Sequence, residues 1–209
     1  MSITRNLMFG SFSARAILVI LFFVPLLGNA QIRVRDQRTE YLAEPLAVDT
    51  DSPRFTWKMI SEKEGLSVHS WELSVGSDSL ALMNGRGDIW RSGQKQDPLP
   101  LAVYNGPALL PHSRYYWRVT VYDNTGKLHQ SPVATFETGY LGRAKWMGHW
   151  ISDGRGPEEK VAPLFRKAFR LHKPVRRARA FIAVAGLYEM MINGQRIGDH
   201  VLDPAYTRF

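Results

Sequence analysis

The fold of this 209-residue chain is decided by one stretch of its sequence, Leu109-Leu-Pro111-His-Ser113-Arg-Tyr115-Tyr-Trp117-Arg-Val119-Thr-Val121. From Tyr115 onward, every second residue is aromatic or β-branched, while Arg118 and Thr120 fall between them. Successive side chains of a β-strand point to opposite faces, so this period of two predicts a strand with one buried face.

The same alternation recurs upstream, in Phe55-Thr56-Trp57-Lys58-Met59 and in Trp71-Glu72-Leu73-Ser74-Val75. Turn-forming sequences separate these runs. They are Asp51-Ser52-Pro53, Asn84-Gly85, Asp97-Pro98, Asn105-Gly106-Pro107 and Asp123-Asn124-Thr125-Gly126. About seven short strands over roughly 100 residues predict an immunoglobulin-like sandwich across residues 31–139.

The stretch from Leu109 to Val119 resembles the turn-and-strand signature of fibronectin type III domains, in which Leu and Pro precede a corner tyrosine. Tyr115 is the matching residue, and the resemblance implies that its hydroxyl bonds back to the main chain. The alternative is a generic amphipathic strand with aromatic packing. Both interpretations make these residues structural.

Composition excludes several classes of site. The chain has no cysteine, which rules out disulfides, thiolate nucleophiles and Cys-ligated zinc. It has 27 basic and 19 acidic residues, a formal net charge of +8, and a run from Arg166 to Arg179 without an acid. Such a run can bind nucleic acid. Because no nucleic-acid motif accompanies it, we expect no nucleic-acid partner and favour a solvated strand face, with an acidic polysaccharide as the alternative.

Residues 1–30 predict a secretory signal peptide. Arg5 and Arg15 precede an apolar run, Ala16–Leu27, and the small-residue site Gly28-Asn29-Ala30 follows it. The run has 12 residues, whereas a membrane-spanning helix needs about 20. We therefore expect cleavage between Ala30 and Gln31, a periplasmic or secreted bacterial protein and no stable membrane anchor. An uncleaved anchor is the alternative.

The pattern changes after Gly139, which predicts a second β unit over residues 140–209. Strand-like runs lie at Leu164–Leu171, Arg177–Val184 and Tyr188–Ile192. Asn193-Gly194 follows the third run, and this dipeptide between apolar runs predicts a hairpin with a type I′ turn. Three or four strands are fewer than the eight of a jelly roll, so the unit is predicted to be incomplete.

The mature chain resembles the N-terminal region of bacterial α-L-rhamnosidases along nearly its whole length. In the first half the matching motifs are Pro45-Leu46-Ala-Val48-Asp49, Pro53-Arg54-Phe55-Thr56-Trp57, Ile89-Trp90-Arg-Ser92-Gly93, Tyr115-Tyr-Trp117-Arg-Val119 and Phe136-Glu-Thr138-Gly139. In the second half they are Trp146-x-x-x-Trp150-Ile151, Pro163-Leu-Phe-Arg166-Lys-Ala-Phe169, Ala185-Gly186-Leu-Tyr188-Glu189, Ile192-Asn193-Gly194-Gln-Arg-Ile-Gly198-Asp199 and Leu202-Asp-Pro204-Ala-Tyr-Thr207.

The resemblance implies an all-β chain: a fibronectin III-like sandwich over 31–139, then the start of a jelly-roll domain over 140–209. It also implies that the family's inverting hydrolysis is performed by acids of a later (α/α)6 barrel. The chain shows no long amphipathic helices that would build such a barrel, so we assign no catalytic residue.

Three residues are candidates for carbohydrate binding: Tyr188, Asn193 and Asp199. Sugar sites stack an aromatic ring on the sugar and use Asp or Asn for hydroxyl groups or calcium. The family's second domain binds sugar with calcium in some members, so calcium is possible there, and no other cofactor is expected. The competing interpretation is structural, because the turn requires Asn193 and Tyr188 has the strand parity of core residues.

Other motifs carry little chemistry. The adjacent acids Glu158-Glu159 lie in a Gly-rich loop and are expected to be solvated. The six histidines lack metal-ligand spacing, and Arg86-Gly87-Asp88 matches an adhesion tripeptide by coincidence.

We therefore expect an exported accessory portion of a rhamnosidase-like hydrolase, inactive alone, whose partners are a rhamnose-containing glycan and the remainder of its own chain. The alternatives are a free carbohydrate-binding module and a structural or adhesion protein.

Overall fold

A computed structural model of the chain describes residues 32–61, 64–156, 158–159, 161–199 and 203. The expected signal peptide and its cleavage site, Ala30–Gln31, lie outside these residues. The chain divides into two compact units, the first ending at Gly148 and the second beginning at His149. The boundary expected from the sequence, after residue 139, stays a prediction.

In its described residues the first unit contains eight strands and one short helix. They are β1 (Arg33–Thr39), β2 (Arg54–Ile60), β3 (Val68–Gly76), α1 (Ser79–Met83), β4 (Trp90–Arg91), β5 (Leu101–Val103), β6 (Arg114–Asp123), β7 (Leu128–Gln130) and β8 (Ala134–Glu137). One sheet has the order β1-β2-β5, and the other has the order β4-β3-β6-β7 with β8 also paired to β6. Every pair is antiparallel. The all-β fold class is confirmed.

The two sheets bury aromatic side chains between them. Phe55 of β2 packs on Trp117 of β6 with ring centroids 4.9 Å apart, and Trp57 packs edge-on against Trp71 of β3 at 5.1 Å. The indole Nε1 of Trp117 donates to Thr39 Oγ1 at 3.1 Å, which satisfies its polar atom inside the core. These aromatic pairs hold the sheets face to face, although the buried indole N–H of Trp57 has no hydrogen-bond partner in the described structure.

Strand β6 shows the alternation that the sequence predicts. Tyr115, Trp117, Val119 and Val121 are all buried, and the residues between them are half-buried. The Tyr115 hydroxyl accepts a hydrogen bond from the backbone N–H of Leu110 at 2.8 Å. The expected tyrosine corner is confirmed, since the hydroxyl fixes the loop that leads into its own strand.

Helix α1 is a single turn that follows β3. Asp78 caps it by accepting a hydrogen bond from the backbone N–H of Ala81 at 2.6 Å, and Leu82 is its one buried residue. No helix in the described part of the chain is long and apolar enough to cross a membrane.

The second unit contains one hairpin within its described residues, β9 (Met191–Ile192) and β10 (Gln195–Arg196). The strands expected at Leu164–Leu171 and Arg177–Val184 are not formed, and the expected run Tyr188–Ile192 is a strand only at Met191–Ile192. A strand is defined by hydrogen bonds to a neighbour, and between residues 162 and 187 the structure shows no backbone pairing among the described residues. The predictions for the first two segments are therefore wrong in this structure, although their sequence periodicity is that of a strand.

Candidate functional site

The Asn193-Gly194 turn is the best-defined part of the second unit. Asn193 has φ 52° and Gly194 has φ 79°, and the flanking residues pair as Ile192 with Gln195 and Met191 with Arg196. Positive φ at both central residues is the signature of a type I′ hairpin turn. The predicted hairpin is confirmed, and it gives Asn193 a structural role.

The three candidate sugar-binding residues lie at different places on this hairpin. Asn193 is exposed at the turn, and Tyr188 is five residues away, up to about 16 Å of extended chain. The hairpin register would place Asp199 opposite Tyr188, but Tyr188 instead pairs with Asp203 through backbone bonds of 2.7 and 3.1 Å. Asn193 thus lies in the turn, whereas Tyr188 lies before β9 and pairs with Asp203. Their role in sugar binding stays a prediction.

No group of three or more His, Asp or Glu side chains in the described residues is arranged to hold a metal ion. Near the hairpin, Glu189 lies 4.0 Å from Arg196 across the strands. The possibility of calcium in a complete second domain also stays a prediction.

A buried acid–histidine pair in the first unit was not foreseen from the sequence. Asp123 and His129 are each about 1% exposed at the side chain, and His129 Nε2 lies 2.7 Å from a carboxylate oxygen of Asp123. The other oxygen accepts hydrogen bonds from Thr125 N at 2.8 Å, Thr125 Oγ1 at 2.6 Å and Lys127 N at 2.9 Å. The carboxylate therefore organises the whole β6–β7 turn.

The hydrogen bonds from His129 and then Thr125 hold the pKa of the Asp123 carboxyl far below its usual range. An ionised carboxylate only accepts, so His129 Nε2 carries the proton. His129 Nδ1 is buried and has no hydrogen-bond partner in the described structure. Sequence parity could have revealed this pair, because Asp123 continues the buried face of β6 and a buried acid requires partners.

Other acids of the first unit are held by local contacts. An open groove of about 320 Å³ runs beside residues 40–50. Of its two acids, Glu40 bonds Arg54 at 2.7 Å, and Asp49 accepts a hydrogen bond from the backbone N–H of Leu141. These contacts close the loops onto the sandwich and leave the groove without a free carboxylate pair.

The adhesion-like tripeptide is also built into the fold. The Asp88 carboxylate accepts hydrogen bonds from Ser77 N at 2.8 Å and Ser77 Oγ at 2.5 Å. A Cβ added to Gly87 would lie 3.1 Å from the Ser74 side chain, so the backbone packs closely on β3. Asp88 therefore ties the β3–α1 connection to the segment before β4.

Comparison with known proteins places these features in a family. The family model described as the Rha78A-like, N-terminal immunoglobulin domain matches residues 34–142, which are 109 of the 209 residues. The chain belongs to this family. A second model, the α-L-rhamnosidase N-terminal domain, matches residues 173–209 of the same Rha78A-like chain. The resemblance stated from the sequence is confirmed.

Individual relatives agree with the family assignment. An α-L-rhamnosidase of Formosa agariphila is 30% identical over 191 residues, covering 80% of this chain and 20% of the relative. The crystal structure of the Streptomyces avermitilis α-L-rhamnosidase complexed with L-rhamnose superposes with a TM-score of 0.53 at 34% identity, over 58% of this chain and 12% of that one. The α-L-rhamnosidase structure from Dictyoglumus thermophilum superposes with a TM-score of 0.52 at 28% identity, over 57% of this chain and 14% of that one.

This Rha78A-like chain thus spans between about an eighth and a fifth of the relatives it matches. The shared part is their N-terminal region, which precedes the rest of those enzymes.

Proposed function

We propose that the chain is the non-catalytic N-terminal portion of an exported α-L-rhamnosidase that acts on rhamnose-containing glycans. The observation that carries the proposal is the order of two matches in one chain: an immunoglobulin-like domain over residues 34–142, then a rhamnosidase N-terminal domain from residue 173. Two different domains of one enzyme class in sequence are more specific than a shared fold, because immunoglobulin-like sandwiches serve many functions.

The electrostatics of the carboxyl groups support a non-catalytic role. An inverting glycosidase needs a protonated acid whose pKa is raised, facing a carboxylate across roughly 6.5–9.5 Å. In the described residues every carboxyl group with a resolved shift has its pKa lowered by hydrogen bonds or nearby cations. These groups are Asp36, Glu40, Asp88, Asp123 and Asp153.

Glu158 and Glu159, the adjacent acids, are exposed to solvent, as the sequence predicts. An exposed pair of this kind lacks the enclosed pocket in which a general acid and a shielded base work. These observations support a chain that positions or extends a catalytic unit.

Purified chain incubated with an aryl α-L-rhamnoside tests this role directly. We expect release of the aryl alcohol at the rate of buffer alone, and the coding DNA beyond codon 209 should continue in an open frame that encodes a helical barrel. Turnover that is abolished by a substitution in this chain would overturn the proposal. A stop codon at position 210 in a gene whose product accumulates would favour a free binding or structural module.

Export is the second part of the proposal. It is supported by the charged, apolar and small-residue order of residues 1–30. N-terminal sequencing of protein from the periplasm or medium should begin at Gln31, in open or cyclised form. Mature protein that retains Met1 would contradict it.

A further inference from the structure

The positive charge of the chain is concentrated in one region, residues 161–188, which we call the basic segment. It holds seven of the 27 basic residues and none of the 19 acidic ones. The other 181 residues therefore carry 20 basic and 19 acidic residues and are almost neutral. Charge distributed in this way is a local feature of the surface rather than a general property of the protein. The seven are Arg166, Lys167, Arg170, Lys173, Arg176, Arg177 and Arg179.

Several basic residues of the first unit form ion pairs with neighbouring acids. Arg54 pairs with Glu40 at 2.7 Å, Lys58 with Asp36 at 2.7 Å and Arg114 with Glu137 at 2.5 Å. In the basic segment every residue from 161 to 187 is exposed. Since the segment contains no acid of its own, its field extends into solvent, limited by salt to about 8–10 Å.

The chain around Pro174 bends to form an open groove of about 700 Å³ lined by residues 170–177. Four basic side chains line it, those of Arg170, Lys173, Arg176 and Arg177, together with Leu171, Pro174 and Val175. Phe165 and Phe169, 50% and 73% exposed, lie just before it. Cationic groups interleaved with exposed apolar and aromatic groups can bind a polymer that has both anionic groups and apolar ring faces.

We propose that the basic segment binds an anionic polysaccharide, a chain of sugar rings bearing carboxylate or sulfate groups. The choice of a glycan over nucleic acid rests on the proposed function above. The choice of an anionic glycan over a neutral one rests on the charge of the segment alone. Binding supplies affinity by neutralising the polymer's charges and releasing its counterions, so it weakens as salt increases.

Binding of the full chain to four polymers tests the proposal: polygalacturonate, dextran sulfate, neutral dextran and a duplex DNA. The titrations are run at 50 and 200 mM NaCl. We expect binding to polygalacturonate or dextran sulfate but not to dextran, with affinity falling at the higher salt. Comparing the two anionic polymers distinguishes carboxylate from sulfate as the preferred group, and dextran differs from dextran sulfate only in charge.

Two triple variants remove the same charge from different units. R170Q/K173Q/R176Q acts on the basic segment, and R33Q/R35Q/K95Q is its matched control, because these three residues are exposed on the first unit and form no ion pair in the described structure. The first variant should bind the anionic polymers about tenfold more weakly. Its slope of log K against log salt concentration should be smaller in magnitude by roughly one to three. The control should stay within about twofold of the wild type.

Equal weakening by both variants would show attraction by net charge alone and overturn the proposal, as would binding to dextran as strong as to dextran sulfate. Tighter binding to DNA than to either anionic glycan at the same salt would assign the segment to nucleic acid instead. These results are independent of the rhamnoside assay and of the reading frame beyond codon 209. If the polymer titrations fail, the proposed accessory role is unaffected. If the rhamnoside assay or the reading frame contradicts that role, the measured binding of anionic polymers still stands.

Discussion

Strand β6 and the segment 177–184 share the same alternation of apolar and polar residues, and the two end in opposite environments. In β6, Trp117, Val119 and Val121 are fully buried. In the other segment, Ile182 is 41% exposed and Val184 is 38% exposed. A period of two specifies which side chains share a face, but burial of that face requires a second sheet opposite it and hydrogen-bonded neighbours beside it.

The first unit supplies both requirements within about 110 residues. Some of its strands pair across intervening elements: β2 pairs with β5, and β3 pairs with β6. The second unit, in its described residues, pairs the two short strands of a local hairpin and adds one bridge between Tyr188 and Asp203. An isolated two-stranded hairpin is marginally stable at best. The comparison predicts that the two units differ in resistance to unfolding.

Limited proteolysis should reveal the largest difference. Trypsin is expected to cleave within the basic segment roughly a hundredfold or more faster than at the described sites from Arg33 to Lys127, because cleavage requires locally extended, unpaired chain. Mass spectrometry should identify a stable product that retains Arg143, whose guanidinium bonds Leu109 O at 2.6 Å and Asp51 at 2.8 Å. Comparable cutting at exposed first-unit sites such as Arg86 and Lys127 would contradict the comparison.

Removing a core side chain should have the next largest effect. Trp117→Ala is expected to destabilise the first unit by about 3–5 kcal/mol, since it opens a cavity and breaks the bond to Thr39. The side chain of Phe169 is 73% exposed, so Phe169→Ala should change the urea unfolding midpoint very little. Urea unfolding followed by far-ultraviolet circular dichroism measures both.

Trp117→Ala can leave too little folded protein to measure. Leu73→Ala, at another fully buried site, then serves instead with an expected loss of about 2–5 kcal/mol. A midpoint shift from Phe169→Ala as large as from Leu73→Ala would mean that the second unit also has a cooperative core.

The same contrast explains what the sequence could and could not predict. Local chemistry was sufficient for the Asn193-Gly194 turn, the Tyr115 corner and the buried face of β6, because each depends on residues close in sequence or on a strict period. It was insufficient for 164–171 and 177–184, where strand formation depends on a partner. The Asp123–His129 pair was missed because turn residues were interpreted by their backbone preference alone. The alternation that placed Val121 inside also placed Asp123 inside.

The Asp123 carboxylate should make the stability of the first unit depend on acid pH. Its pKa is lower in the folded state than the ordinary value of about 3.9, because His129 and Thr125 bond the ionised form. The stabilisation is therefore complete above the unfolded pKa and is lost as pH falls below about 4 towards the folded pKa. The urea midpoint of the wild type should decline between pH 6 and pH 2.5.

Asp123→Asn should lower the midpoint at pH 6 and flatten this decline. Glu158→Gln, which removes an exposed acid of the second unit, is the control and should retain the wild-type pH dependence. Parallel curves for Asp123→Asn and the wild type would show that other carboxyl groups, such as the paired Asp36 and Glu40, cause the acid sensitivity.

The smallest effects should come from two turn glycines that have similar positive φ angles. Gly126, in the β6–β7 turn, has φ 83°, and Gly194 in the hairpin has φ 79°. A Cβ at either position would meet nothing within 4 Å, so Gly→Ala introduces only the backbone strain of positive φ, about 1 kcal/mol. Gly126→Ala should therefore lower the free energy of unfolding of the first unit by about 1 kcal/mol. Gly194→Ala introduces similar local strain. It should leave the free energy of unfolding of the first unit within about 0.3 kcal/mol of the wild type, because the hairpin is not part of that unit. Equal shifts from both glycines would show that the hairpin and the sandwich unfold as one cooperative structure.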